Sequence, residues 1–410
     1  MKSLLLMLVP LLFLQAAVVF AQPPSSSAPA SNPDQPELVK GNNAFAIDLY
    51  GQLRQQDGNL FFSPASISTA FGMAYAGAGG QTAAEMAATL HFTLPPERLH
   101  PAMGALLASL NAEHNGYQLR VADALWAEQD ESFLDSFLKL TKADYAAGFR
   151  KVDFKHAPEA VRVTINQWVA EQTAGKIKDL LQPGVLTPST RLVLTNAIYF
   201  KGDWQMQFDK AQTREEEFHL SAGQSVQAPL MHIEGRFSYF NGSSFQALEI
   251  PYQSGDLSMI VLLPNDAAGL AALEQSLTAA SVHQWLSQLR PVGKIVLTLP
   301  RFKMTNQFSL NGALTALGMR TAFDRTLADF SPMTGKRDLW ISAAIHKAYI
   351  DVNEEGTEAA AATAVVMRSM AMAREQPPIV FRADHPFLFV IRDNRSGAIL
   401  FLGRLTDPTK

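Results

Sequence analysis

Hydrophobic and polar positions change rhythm many times along the chain. Residues 43–54 set Ala44, Phe45, Ile47 and Leu49 in a helix-like pattern, and residues 66–76, small and apolar, predict a buried helix. Residues 82–90 read as a short helix with Thr82 and Glu85 spaced as a capping box. Along 119–126, Leu119, Val121 and Leu125 fall on one face and Ala122, Ala124 and Trp126 on the other. A mostly buried strand is expected there, with Asp123 the exception. Residues 161–181 place Ile165, Trp168 and Val169 at helical spacing, and Gly175 interrupts or ends that helix. The nearly continuous apolar run 191–200 predicts a strand buried on both faces. Segments 245–250 and 257–263 flank Tyr252-Gln253-Ser254-Gly255-Asp256, a hairpin signature. Residues 294–299 form another strand, and 310–317 a helix closed by Gly318. Segments 379–381, 386–392 and 398–405 predict three closing strands. Strands are numerous and do not alternate regularly with helices, which gives an α+β class with large antiparallel or mixed sheets.

The beginning of the chain has a different character. MKSLLLMLVPLLFLQAAVVFA combines Lys2, an apolar core and a small-residue end at Val19-Phe20-Ala21, so residues 1–21 read as a secretory signal cut after Ala21. Pro10 and Gln15 interrupt a run that is already short for a membrane span. Residues 22–36, QPPSSSAPASNPDQP, form a flexible Pro/Ser-rich tether, and the folded part is expected from Glu37 to the end. No later linker, fixed repeat or charge block divides residues 37–410, which favours one domain.

Composition narrows the function. There are 410 residues, a formal net charge of −4 and no cysteine. The absence of cysteine excludes a disulfide scaffold, a thiolate metal site and a cysteine nucleophile. With an export signal it points to a bacterial periplasm or exterior. The mildly acidic balance without a basic block argues against nucleic acid as a partner. No two of the nine histidines stand four apart, no H-E-x-x-H occurs, and there is no G-x-S-x-G elbow, so no metal and no enzyme activity are expected. The Gly77-Ala78-Gly79-Gly80 run reads as a turn between helices, and Ser136-Phe137-Leu138-Lys139 as a chance S-x-x-K match on a helix.

One stretch does not suit a static protein. NEEGTEAAAATAVVMRSMAMAREQPP (353–378) runs from Ala359 to Met367 without a charge. It is compatible with a helix, with an exposed loop, or with a strand in waiting. In the last case Thr357, Ala359, Ala361, Thr363 and Val365 share one face, and Glu358 begins the other. No proline interrupts it before Pro377-Pro378.

IHKAYIDVNEEGTEAAAATAVV (345–366) resembles the hinge signature of the serpins, and FRADHPFLFVIRDNRSGAILFLGRLTDP (381–408) their C-terminal signature. NLFFSPASISTAFGMAYAGAGGQTAAEM (59–86), LTNAIYFKGDW (194–204) with Phe208, FKMTNQFSLNGALTALGMRTAFD (302–324) and ADFSPMTG (328–335) are similar to serpin blocks in the same order. The resemblance covers about residues 37–410. It implies a single domain of three β-sheets and about nine helices, with an exposed reactive-centre loop at about 354–378. It also implies suicide inhibition of serine proteases and, in some members, of cysteine proteases. The cut loop then enters the main sheet as a new strand.

Residue by residue, the resemblance implies a shutter of Ser63, Ser66, Asn196 and His346, and a breach of Trp204, Arg301 and Glu354. Arg301 stands where the family often has lysine; it keeps the charge and offers a bidentate fork. The implied hinge is Glu354, Gly356, Thr357, Glu358, Ala359, Ala360, Ala361, Ala362 and Thr363. Its small inward-facing residues favour an inhibitor over a non-inhibitory carrier, chaperone or substrate. Family spacing from Glu354 sets the scissile bond at Met370-Ala371, with Arg368, Met372 and Arg374 as rivals. A methionine favours an elastase-, chymotrypsin- or subtilisin-like protease, whereas the arginines suit a trypsin-like one. Residues 92–110 carry Arg98 as their one lysine or arginine, so no strong polyanion cofactor is expected, and no other cofactor. The expected product is a secreted monomer, free of the membrane after signal cleavage.

Overall fold

The computed structural model describes residues 32–112, 116–146, 148–220, 223–357 and 377–410. The proposed signal, most of the tether, and loop residues 358–376 lie outside the described residues.

Ten α-helices occur among the described residues: α1 (Gln35–Leu53), α2 (Pro64–Tyr75), α3 (Gly80–Thr89), α4 (Pro96–Asn111), α5 (Asp135–Asp144), α6 (Pro158–Gln172), α7 (Leu270–Gln275), α8 (Ala279–Ser287), α9 (Leu310–Ala316) and α10 (Ser331–Thr334). Helix α1 begins well before the 43–54 pattern. Pro36 sits in its first turn, where a missing N–H costs nothing. Helix α2 is buried along all but Tyr75, as its small apolar sequence predicts, and Ser63 caps it by accepting from the Ser66 N–H at 3.2 Å. The capping box expected in α3 is not formed. Gly79 is the N-cap, and Thr82, inside the helix, accepts from the Asp329 N–H at 2.9 Å. Glu85 accepts from the N–H groups of Arg320 and Thr321, so both residues tie α3 to the 320s segment. Helix α6 is shorter than residues 161–181. Ala174 and Gly175 take φ of 51° and 74°, and Asn166 then holds the returning chain by exchanging two hydrogen bonds with the Leu181 backbone.

The strands are β1 (Leu60–Phe62), β2 (Tyr117–Glu128), β3 (Phe149–Val152), β4 (Leu192–Asp203), β5 (Arg214–His219), β6 (Ser225–Asn241), β7 (Phe245–Pro251), β8 (Leu257–Pro264), β9 (Arg290–Pro300), β10 (Phe302–Ser309), β11 (Ile341–Val352), β12 (Gly356–Thr357), β13 (Ile379–Arg382), β14 (Phe387–Asp393) and β15 (Ile399–Leu405). One sheet has the order β1-β15-β14-β8-β7-β6-β9-β13, with β5 on β6. The long β6 pairs with β5 and β9 along its first part and with β7 at its end. It shifts register between Arg236 and Ser238. Hydrogen bonding thus joins two of the three expected sheets through one strand. The β1-β15-β14 end of this sheet is closely packed and apolar: the Phe61 ring stacks on Phe401 at 5.0 Å and on Phe389 at 5.8 Å.

The second sheet has the order β10-β11-β12-β4-β2-β3. Its β4 is buried on both faces, as its continuous apolar run predicts. Leu194, Ile198 and Phe200 enter the main core, while Val193, Ala197 and Tyr199 meet Val161, Ile165 and Val169 of α6. Strand β2 divides as expected, with Leu119 and Leu125 in the main core and Ala122, Ala124 and Trp126 under α6.

Candidate functional site: a seam in the six-stranded sheet

Strands β4 and β11 run parallel, from Ile341 opposite Leu192 to Tyr349 opposite Tyr199. Both outer neighbours, β2 and β10, are antiparallel to them. Above Tyr349 the two strands part and β12 enters between them. Thr357 stands opposite Val352 of β11 and Gly202 of β4, and Gly356 stands opposite Asp203. The new strand is antiparallel to both neighbours. There one slanted parallel ladder gives way to two antiparallel ones, the pairing that is slightly stronger per residue. The chain enters by a tight turn in which Asn353 and Gly356 exchange backbone hydrogen bonds of 2.8 and 3.2 Å. Gly356 passes so close to β4 that a Cβ would lie 2.1 Å from the Gly202 carbonyl oxygen, so no larger residue fits.

The upper end of the seam gathers the three predicted residues Trp204, Arg301 and Glu354. Trp204 is buried, donates from Nε1 to the Asn353 carbonyl at 2.9 Å, and donates its N–H to the Glu355 carbonyl at 2.9 Å. Its ring stacks on Tyr252 at 4.6 Å. The Tyr252 hydroxyl lies 2.8 Å from the Thr357 hydroxyl, which seats the first hinge residues in the sheet. Burial raises the Tyr252 pKa, so the phenol keeps its proton. Glu354 is 3% exposed, accepts from the Thr213 hydroxyl at 2.8 Å, and lies 3.7 Å from Arg301 Nη1. The bidentate fork expected of Arg301 is not engaged on Glu354: its one ion-pair contact among the described residues is long, and Thr213 takes the close position on the same carboxylate oxygen. Glu355 pairs with Lys210 instead. These charges line a polar cleft of about 540 Å³ that also includes Arg214 and Glu215. Tyr252, Thr213 and Lys210 were missed from the sequence. Tyr252 reads there as a hairpin residue, but it forms a bridge to Trp204.

Midway down the seam the four predicted polar residues meet. The Ser63 N–H donates to His346 Nε2 at 3.2 Å. A backbone amide can only donate, so this nitrogen carries the lone pair and the ring proton sits on Nδ1. That proton goes to Asn196 Oδ1, which turns the Asn196 amide nitrogen toward Ser66 Oγ, 2.5 Å away, and toward Asp123 Oδ1. Ser66 Oγ lies 3.2 Å from the same Asp123 oxygen. Burial lowers the His346 pKa to about 3, so the ring is neutral at ordinary pH. Asp123 was absent from the predicted site. Its signal is a carboxylate in the middle of a mostly buried strand. Asn196 bridges β2 and α2 to His346 on β11, and it therefore stands on the line along which β4 and β11 would separate.

Hinge residues Glu358, Ala359, Ala360, Ala361, Ala362 and Thr363, and the candidate cleavage residues Arg368, Met370, Ala371, Met372 and Arg374, lie outside the described residues.

Residues 40–408 match the family profile described as serpin (serine protease inhibitor). The chain belongs to the serpin family. Human leukocyte elastase inhibitor is 42% identical over 381 residues, which is 91% of this serpin and 100% of that relative. The solved structure of maspin aligns with a TM-score of 0.85 at 29% identity, covering 91% of this serpin and 100% of that chain. Human thyroxine-binding globulin complexed with thyroxine aligns with a TM-score of 0.82 at 29% identity, over 92% and 100%. This serpin thus has the α+β serpin fold and belongs to a family of protease inhibitors rather than catalysts. No helix among its described residues is long and apolar enough to cross a membrane.

Proposed function

We propose that this serpin is a suicide inhibitor of serine endopeptidases, with cysteine endopeptidases the second class. The observation that carries the reading is β12, two hinge residues already lying antiparallel between β4 and β11. Continued residue by residue, both of its registers bring Thr363 opposite His346 and Asn196, and the small residues Ala359 and Ala361 onto the same face. A protease that attacks the carbonyl of residue 370 releases the amine of residue 371 and stays esterified to the loop. The loop then enters the seam and carries the protease with it. About ten inserted residues, at ~1 kcal/mol net per hydrogen bond, contribute on the order of 10 kcal/mol. That is comparable to the stability of a domain, so the uncut fold is a kinetic trap.

The relative named leukocyte elastase inhibitor, and Met370 as the residue presented for cleavage, support an elastase-, chymotrypsin- or subtilisin-like target. The apolar leader 1–21 supports export, extracellular or periplasmic, and the single cation Arg98 in residues 92–110 supports action without a polyanion cofactor; the proposed form is a monomer. N-terminal sequencing of exported protein should begin at Gln22. The deciding experiment mixes mature protein with elastase, chymotrypsin, trypsin and subtilisin. A complex that survives SDS, with a C-terminal peptide beginning at Ala371, is expected. A start at Ser369, Ala373 or Glu375 moves the bond, and clean cleavage by every protease without a complex overturns the inhibitor reading.

A carrier function is the second reading. A cavity of about 730 Å³ between α1 and α8, lined by Val39, Ile47, Val282 and Leu286 with Lys40 and Arg392, favours it. Thyroxine-binding globulin, which shares the fold, is known in complex with a small molecule. Cleavage without trapping, together with saturable uptake of an apolar fluorescent dye lost in Leu286→Trp, would carry that reading.

A further inference from the structure

Asp123 is the one member of the seam's polar cluster with an ionisable group that the proposed function does not use. Its Oδ1 receives Ser66 and Asn196, while its Oδ2 is enclosed and meets no partner among the described residues. The elements packed around it bring no charge to it. Strand β4 contributes Asn196 and α2 contributes Ser66. The titratable His346 of β11 connects only through Asn196. The buried His100–Tyr145 pair, which packs on α2 at Gly72, bonds to itself at 2.7 Å. Burial accordingly holds the Asp123 carboxyl well above the usual carboxylate range, against the lowering effect of its two hydrogen bonds. An enclosed hydroxyl without an acceptor is far less costly than an enclosed carboxylate without a cation.

We propose that Asp123 is a positioning residue for the opening of the seam, which sits in the closed sheet with its proton on and gives that proton to solvent when β4 and β11 part. In the closed sheet the neutral acid keeps the Asn196 amide turned so that its oxygen meets His346. When β11 moves away, Asn196 loses that donor and is free to turn, and water reaches the carboxyl. The hydrated acid holds its proton less tightly, so raising the pH favours opening. His346 has the opposite sign. It is neutral in the closed sheet and takes up a proton once hydrated, and between the ordinary carboxylate and histidine ranges this uptake cancels the proton that Asp123 releases. Opening is therefore flat between about pH 4 and about pH 6.5, rises toward acid below that range through His346, and rises toward high pH above it through Asp123. The inference deepens the proposed strand insertion and rests on it for the route of opening.

The test is the rate at which the full mature chain takes up a synthetic peptide copying residues 357–368, followed from about pH 3 to about pH 9. The wild type should accelerate by at least about threefold per unit along the high-pH limb, below the tenfold limit for one proton. Asp123→Asn, nearly isosteric, should abolish that limb and extend the acid limb up to about pH 6.5, through the range where the wild type is flat. Ser66→Ala, which removes a donor to the carboxylate, should move the high-pH limb upward. Carbon-13 NMR of aspartate-labelled wild type should show one carboxyl protonated at neutral pH, absent in Asp123→Asn. An unchanged high-pH limb in Asp123→Asn, or no protonated carboxyl at neutral pH, overturns the proposal. A chain that takes up no peptide at any pH, yet shows the protonated carboxyl, overturns strand insertion and leaves the Asp123 proton standing.

Discussion

The two sheets of this serpin are held together by different physics. At the β1 end of the nine-stranded sheet, Phe61, Phe389 and Phe401 stack and the neighbouring strands are antiparallel. Parting these strands would expose large aromatic surfaces with nothing to replace them. At the middle of the six-stranded sheet, the β4–β11 pair is parallel and the side chains beneath it are Ser63, Ser66, Asn196, His346 and Asp123. Hydrogen bonds can be exchanged for others without a net loss of contact, whereas a stacked ring cannot be exchanged for water at the same free energy. The first sheet is built to stay closed. The second is closed by interactions that can be re-formed around an extra strand.

The comparison can be broken most sharply at the hinge. Ala361→Arg places a charge on the face that the proposed insertion carries into the seam and should abolish covalent complexes, leaving a protein that proteases cleave and release; undiminished trapping on a denaturing gel would refute insertion along β12. Phe401→Ala, in the closed sheet, should lower stability to denaturant by about 3–5 kcal/mol while changing the peptide-uptake rate less than about twofold. The third test is pH. An unfolded histidine binds its proton below about pH 6.5, but folded His346 does so only near pH 3. Stability present above pH 6.5 is therefore lost as the pH falls toward 3, by up to on the order of 5 kcal/mol. His346→Gln should remove that part of the acid sensitivity in urea titrations run at several pH values. The smallest effect belongs to Tyr252→Phe. Losing the hydroxyl that meets Thr357 should release the first hinge residues at about 1 kcal/mol, read as a change in Trp204 fluorescence because the two rings are stacked.

The sequence displays burial more readily than it displays partnership. Helix α2 and strands β2, β4, β14 and β15 are legible because their apolar positions follow one period or fill every position. The first turns of α1 and the whole of β11 are not. Residues 35–42 are mostly polar, and β11 mixes alanine, lysine and histidine with its larger apolar residues although it is almost entirely buried. Within the seam, Ser63, Ser66, Asn196, His346, Trp204, Arg301 and Glu354 are found through the family resemblance, because no local pattern links residues so far apart in the chain. Asp123 stands out as an anomaly in its strand, but its neighbours become apparent only from the register that sets it beside Asn196. Tyr252 is hidden by its own hairpin, since nothing nearby in sequence points to Thr357, which it meets across the sheet.

The last strands of the chain have a consequence of their own. Strands β14 and β15 follow the loop in sequence, yet they lie inside the nine-stranded sheet, between β8 and β1. Arg404 adds hydrogen bonds to the backbone of Gln56 and Gly58 and an ion pair with Glu274. A break anywhere between residues 358 and 376 therefore severs the polypeptide without dividing the molecule. The severed C-terminal piece is a subunit by covalent chemistry and a core element by structure. It should migrate with the rest of the protein in native electrophoresis and part from it only in denaturant.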